Sequence, residues 1–318
     1  MTTKARRQAW HWHPAGPVEN NPLFAWPPRP GGVLRWYAGH WLRLSELSLF
    51  AGLAVALWLL FPLSLDEPPD TAAIAAIYLR NLACLLAVAG GLHLYLYRWR
   101  RQGTVWKYDR RFLARDSGRF NFRDQVADNM AWSLLSGLTL WTIYEVGLLW
   151  AFATGWAPRH DWSDGPVWFL FLFFALPLWE SLHFYWVHRL LHWPPLYRFA
   201  HAVHHRNVNP GPWSGLAMHP LEHLIYFSSV LIHLVIPSHP IHLLFHLYVL
   251  TLSAVIGHCG FDALRLGSRG RLALGHFHHQ LHHRYFTCNY GSSEMPWDVW
   301  FGSFDDGGNE ARRRQAAG

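Results

Sequence analysis

Residues 188–205 read HRLLHWPPLYRFAHAVHH, five histidines in eighteen positions, directly behind an apolar run of Trp, Phe and Leu. A buried imidazole has two ring nitrogens to satisfy. Five close together need five sets of partners, or something that binds them all. No helix breaker separates the apolar run from the first histidines. If the helix continues, His188 and His192 sit at i and i+4 on one face, one turn apart. Pro194 and Pro195 then end it. His201 follows on a short helix and shares a face with both His204 and His205. The stretch therefore reads as a membrane span delivering histidines at its end, followed by a second helix that delivers more.

Working outward, the 318-residue chain is 51% hydrophobic, and its apolar residues are gathered in long runs with charges between them. Twenty Trp, twenty Phe and twelve Tyr suit a lipid boundary with rings at headgroup depth. The runs are 47–65, 72–95 (with Arg80 and Asn81 inside), 130–153 (with Glu145 inside) and 167–182. An arginine at that depth is expensive unless paired or turned to the bundle interior. Two shorter runs, 223–237 and 241–257, read as a helical hairpin whose ends return to one side. The expected fold is an all-α integral membrane protein: four transmembrane helices plus that hairpin, capped by a cytosolic histidine-rich helical domain.

Charge gives the orientation. Residues 98–123 carry nine Lys or Arg against two Asp, whereas the loops after the first and third spans are acidic. The positive-inside rule puts the N-terminus, the 98–123 loop, the 183–221 segment and the C-terminal third in the cytoplasm. The expected units are a cytosolic segment 1–43, spans and basic loop 44–182, and a first half of the histidine site at 183–221. A hairpin at 222–257, a second half at 258–306 and a flexible tail 307–318 complete them. The formal charge of +7 lies beside apolar runs rather than on a folded basic face, so nucleic acid is not an expected partner. Three scattered cysteines exclude a disulfide scaffold and a thiolate zinc knuckle. The basic N-terminus lacks the apolar core of a signal peptide.

A third histidine group, HQLHH, repeats the earlier geometry with His279, His282 and His283, and His258 follows the last apolar run. Eight histidines in the HxxxH and HxxHH groups exceed the three or four ligands of one zinc. Two metals sharing eight to ten ligands fit them, and iron is favoured if the chemistry is redox attack on a C–H bond. Isolated histidines such as His233, His239, His242 and His246 read as satisfied core residues. His183 falls on a different face from His188, while His219, His276 and His278 stand near the groups as additional ligands or supports.

The segments ESLHFYWVHRLLHWPPLYRFAHAVHHRNVNP, AMHPLEH, GHCGFD and HHQLHHRYFTCNYGSSEMPWDVWFGSFD together resemble the fatty acid hydroxylase superfamily over about residues 165–306. That superfamily comprises membrane di-iron proteins such as sterol desaturases, C4-methylsterol oxidases and related lipid hydroxylases. The resemblance implies a cytosol-facing di-iron centre held by His188, His192, His201, His204, His205, His279, His282 and His283. His258 is the best further ligand, and Asp262 stands where some members have another. Glu180 and Glu222 are candidates to orient imidazoles, with Arg189 paired to one of them or to Asp298. Asn289, Tyr290 and Gly291 read as a turn in which Gly291 relieves the backbone, and Trp297 as part of a closing motif that positions the last helix.

The implied activity is O2-dependent hydroxylation of an unactivated C–H bond in a sterol, fatty acyl or acyl-lipid chain, with two Fe ions and O2 as co-substrate. Zinc is expected to substitute in purified protein. Desaturation by the same centre is the alternative, and a histidine-rich metal transporter is another. No flavin, haem or nucleotide motif is visible, so electrons are expected from a ferredoxin, a cytochrome b5-like protein or a flavin reductase.

Overall fold

A computed structural model of the chain describes residues 10–42, 45–61, 66–267 and 270–308. The first nine residues, the end of the first apolar run at 62–65 and the polar tail from 309 lie outside the described residues. The chain is mostly helical. Helices α1 (Pro30–Trp41) and α2 (Glu46–Leu60) come first, then α3 (Thr71–Arg98), α4 (Gln125–Ala153) and α5 (Pro166–Leu191). After α5 come a short helical segment α6 (residues 194–205), α7 (Pro220–Phe227) running into a tighter turn Ser228–Leu234, and α8 (Pro240–Gly257). Strands β1 (Ala263–Leu266) and β2 (Gly270–Ala273) form an antiparallel hairpin. Helices α9 (Phe277–Tyr285) and α10 (Trp297–Trp300) close the chain. This small two-stranded hairpin is the one sheet among the described residues.

Helix starts follow local chemistry. The Asp70 carboxylate accepts from the Ala73 N–H at the head of α3, and Asp124 accepts from Val126 and Ala127 at the head of α4. Each satisfies N–H groups that have no partner within the helix. Helices α3, α4, α5 and α8 are long and apolar enough to cross a membrane. With 15 residues, α2 is about 22 Å long, shorter than the hydrocarbon core. Counted with the bent α1, it makes a fifth candidate.

The contacts fix the direction of each element. His188 and His258, at the C-terminal ends of α5 and α8, share one site, so those helices run the same way. Their starts also meet: Arg159 bridges to Ser238, and His160 N–H donates to the Ser238 carbonyl. The α7 stretch must therefore carry the chain from the histidine end back to the far end. Helix α2 runs alongside, with Glu46 beside Ser253 and Trp58 against His239. The basic loop after α3 packs at the histidine end, where Tyr108 N–H donates to the Gly260 carbonyl. The two features that charge and histidine spacing assign to one side are thus at one end of the bundle.

The polar residues inside the early spans find each other. Arg80 on α3 and Glu145 on α4 form a buried ion pair, and Asn81 donates to the same carboxylate at 2.9 Å. An apolar environment makes either charge costly alone. The pair pins α3 to α4 in register. None of the three cysteines is in a disulfide.

Candidate metal centre

Nine histidines converge at the end of the bundle in two groups: His188, His192, His201, His205 and His282, and then His204, His258, His279 and His283. Within each group one ring nitrogen per residue lies within 4.8 Å of every other. The eight motif histidines and His258 are all here. The two HxxHH helices interlock. Helix α6 sends His201 and His205 to the first group and His204 to the second, while α9 sends His279 and His283 to the second and His282 to the first. Residues i and i+4 lie 40° apart around a helix and i+3 falls on the other flank, so one turn of each helix serves both groups. Residues 183–221 supply five of the nine histidines and 258–306 four, and each segment contributes to both groups.

In the first group His192 Nε2 faces His201, His205 and His282 Nε2 at 3.1–3.2 Å. In the second, His258 Nε2 faces His204, His279 and His283 at 2.9–3.2 Å. In four of the nine rings the opposite nitrogen is held by an oxygen acceptor. His188 Nδ1 donates to the Tyr290 carbonyl at 2.6 Å, His258 to Ala254 at 2.6 Å and His282 to Cys288 at 2.7 Å. His201 donates to the Glu222 carboxylate at 2.7 Å. In those four rings a proton held at Nδ1 leaves the Nε2 lone pair aimed at the neighbouring imidazoles. Burial, reinforced by neighbouring imidazoles, holds the rings neutral: the His258 pKa falls to about 4, and those of His201, His204, His205, His279, His282 and His283 fall well below the usual value. Converging neutral lone pairs repel unless a cation lies between them. Separations near 3 Å are those of neighbouring ligands around an ion with bonds of about 2 Å. The donor set fits two metal ions.

Supports surround this core. Asp298 accepts from the backbone N–H of Tyr290 and Gly291, both at 2.8 Å, and so fixes the carbonyl that orients His188. Asn289, not Gly291, takes the left-handed backbone (φ 55°). Its side chain ties the carbonyls of His278 and Asp305 together. Glycine is needed at 291 for close approach, because a Cβ there would meet Asp298 Oδ2 at 3.1 Å and Tyr185 at 3.3 Å. Trp297 stacks on Tyr185 and Phe301.

Other candidates are not brought in. Asp262 accepts from Tyr108 and pairs with Arg271 across the β-hairpin, because the tight turn at Gly260 (φ 77°) carries it away from His258. His183 bonds Ser228 from another face of α5. His219 caps α7, its Nδ1 accepting from Leu221 N–H. His276 faces Glu46 and His278 faces Asp298, each at 3.7 Å. Arg189 donates to the Tyr185 hydroxyl and stacks over Tyr290 rather than pairing with an acid. Glu180 makes no hydrogen bond to an imidazole among the described residues. Three of the imidazole supports, the carbonyls of Ala254, Cys288 and Tyr290, carry no sequence signal, since every residue has a carbonyl.

Beside the histidines opens a cavity lined by Phe184, Met218, Tyr226 and Val249 as well as by His188, His204 and His279. An outer cavity between α1, α2 and β2 adjoins it and shares Glu180, Val249, Ser253, His276, Ser292 and Ser293. The two cavities thus adjoin beside the imidazoles.

Residues 173–303 match the sequence model of the fatty acid hydroxylase family. The chain is 33% identical over 148 residues to a Delta(7)-sterol 5(6)-desaturase of Gibberella zeae, covering 46% of this chain and 44% of that protein. It is 34% identical over 156 residues to a methylsterol monooxygenase of Aspergillus fumigatus (46% and 50%) and 36% identical over 143 residues to a C-4 methylsterol oxidase of Schizosaccharomyces pombe (42% and 46%). The chain thus spans about half the length of these curated relatives. No solved structure matches it. With its histidine motifs in order and converged in space, the protein carries a domain of the fatty acid hydroxylase superfamily at residues 173–303.

Proposed function

We propose that this protein is a membrane-bound, O2-dependent lipid hydroxylase whose two histidine groups hold two iron ions. The observation that carries the reading is the pair of interlocked all-imidazole sets beside an apolar cavity. His188, His192, His201, His205 and His282 hold one ion, and His204, His258, His279 and His283 the other. Iron in such a site supplies the redox chemistry needed to attack an unactivated C–H bond with O2. The chain's own contribution is positioning. Glu222 and the carbonyls of Tyr290, Ala254 and Cys288 keep the proton at Nδ1 and the Nε2 lone pair on the metal side. Phe184, Met218, Tyr226 and Val249 exclude water and lead an acyl chain or sterol to the imidazoles.

The active site faces the cytoplasm, on the side of the basic loop, and a separate ferredoxin, cytochrome b5-like protein or flavin reductase supplies electrons. Desaturation is the second reading, because relatives of both kinds match with similar identity. The transporter reading is weaker. Transporters place ions near mid-bilayer between broken helices, whereas these imidazoles gather at one end of the bundle. Lipid mass spectrometry of membranes containing the iron-loaded protein, with labelled O2 and a reductant, tests the proposal. One labelled oxygen in the product supports hydroxylation, and loss of two hydrogens supports desaturation. A lipid pool unchanged by a protein with iron at both sites would overturn both.

A further inference from the structure

We propose that Glu180 binds the substrate: its carboxyl holds a hydroxyl group of the lipid and sets how far from that group the oxidised carbon lies. The proposal deepens the oxidase reading above and rests on it. Glu180 lies inside the apolar span α5, eight residues before His188. At 1.5 Å per residue, that places it about 12 Å along the helix from the metal end. An acid inside a span is costly unless something pairs with it. The other such acid, Glu145, is fully engaged by Arg80 and Asn81. Glu180 has no hydrogen bond or ion pair among the described residues, and it lines both cavities at their junction.

The polar neighbours around that junction are already occupied. Ser253 donates to Glu46 at 2.8 Å, Ser292 donates to Ser181 at 2.8 Å, and Glu294 faces His40 at 3.3 Å. Glu180 is thus a carboxyl with spare hydrogen-bonding capacity, aimed at the route into the site. A hydroxyl suits it in either protonation state, since a carboxyl accepts from a hydroxyl and, when protonated, also donates to it. Arg35 and Arg271 line the same outer cavity as Glu46 and Glu294, so its walls carry both signs of charge and the preference for a hydroxyl rests on Glu180 itself. The apolar length between Glu180 and the imidazoles then works as a ruler. A lipid anchored by its hydroxyl presents one stretch of carbon to the metals.

The test uses purified, iron-loaded protein and two probe pairs: cholestanol and its methyl ether, and hexadecanol and its methyl ether. Dissociation constants come from equilibrium binding of the labelled probes, alongside iron content. We expect the wild type to bind at least one alcohol roughly tenfold more tightly than its ether, the factor a single hydrogen bond of ~1.4 kcal/mol supplies. Glu180→Gln keeps most of that preference, Glu180→Leu erases it, and both retain wild-type iron. Where the alcohol is oxidised, Glu180→Leu also spreads the product over several positions. A Glu180→Leu protein with full iron and the wild-type preference overturns the assignment, and so does a wild type that does not discriminate. A wild type that discriminates through Glu180 but oxidises no lipid upholds the contact and sinks the oxidase reading.

Discussion

Two sets of buried histidines lie in this molecule, and they are used in opposite ways. In the hairpin, His233 Nδ1 bonds Ser238 at 2.8 Å, His246 Nε2 bonds Ser229 at 3.0 Å, and His242 Nε2 donates to the Phe169 carbonyl at 2.8 Å. His223 bonds Ser136 in the same manner. These rings are as buried as those of the metal centre, at 0% exposure against 0–5% for His188, His204, His258 and His282. Burial therefore does not tell a ligand from a core residue. Direction does: hairpin nitrogens mostly turn to hydroxyls and carbonyls, whereas at the centre one nitrogen of each ring turns to other imidazoles. The contact of His233 Nε2 with His246 Nδ1 at 3.3 Å is a pair and not a cage.

The comparison breaks most sharply at the centre. His204→Ala and His282→Ala, one from each group, should each lower iron content and reduce lipid oxidation to background. Full turnover in either variant would remove that residue from the ligand set. Glu222→Gln should come next, with metal affinity lowered about 10–100-fold, the usual cost of losing a partner behind a ligand. Titration with a competing chelator measures it. Asp298→Asn acts one bond further out, through the Tyr290 carbonyl, and should cost nearer tenfold on the same scale.

The hairpin should answer differently. His246→Ala leaves the Ser229 hydroxyl and His233 Nε2 unsatisfied, which costs about 1–3 kcal/mol of stability, while iron content per folded protein stays at the wild-type level. Iron loss from intact His246→Ala protein would erase the distinction. The smallest effect is expected at Lys107, buried among the rings of Tyr97, Phe112 and Phe261. Burial pushes its pKa down from 10.5 to about 8. Between those values the unfolded chain binds more protons than the folded one, so this group's contribution to stability rises with pH. Below pH 8 the buried charge is a cost. Lys107→Met should raise the thermal midpoint at pH 7 by a few degrees, with the gap narrowing toward pH 10.

Much of the centre is legible in the sequence, because helical periodicity is a local property. HRLLH, HAVHH and HQLHH place their histidines on one side of a helix whatever the rest of the chain does. The apolar runs likewise announce spans, since lipid demands them. Arg80 and Glu145 each announce a buried partner without naming the other, 65 residues away. Asp262 and Glu180 show where local reading ends. Sequence proximity to His258 suggests a ligand in Asp262, but a turn at Gly260 points the chain to Arg271. Glu180 looks like a carboxylate for an imidazole and stands instead beside a cavity.

Ligand chemistry is thus written locally: which histidines present nitrogens together, and at what helical spacing, follows from the order of residues alone. How those nitrogens divide between two groups, with His204 and His282 crossing to join the opposite helix, is a matter of packing. That division depends on how α6 and α9 meet across seventy residues of chain, and on which carbonyls lie behind each ring. Neither is encoded in any short stretch, because a backbone carbonyl becomes a specific partner only once folding has brought it there.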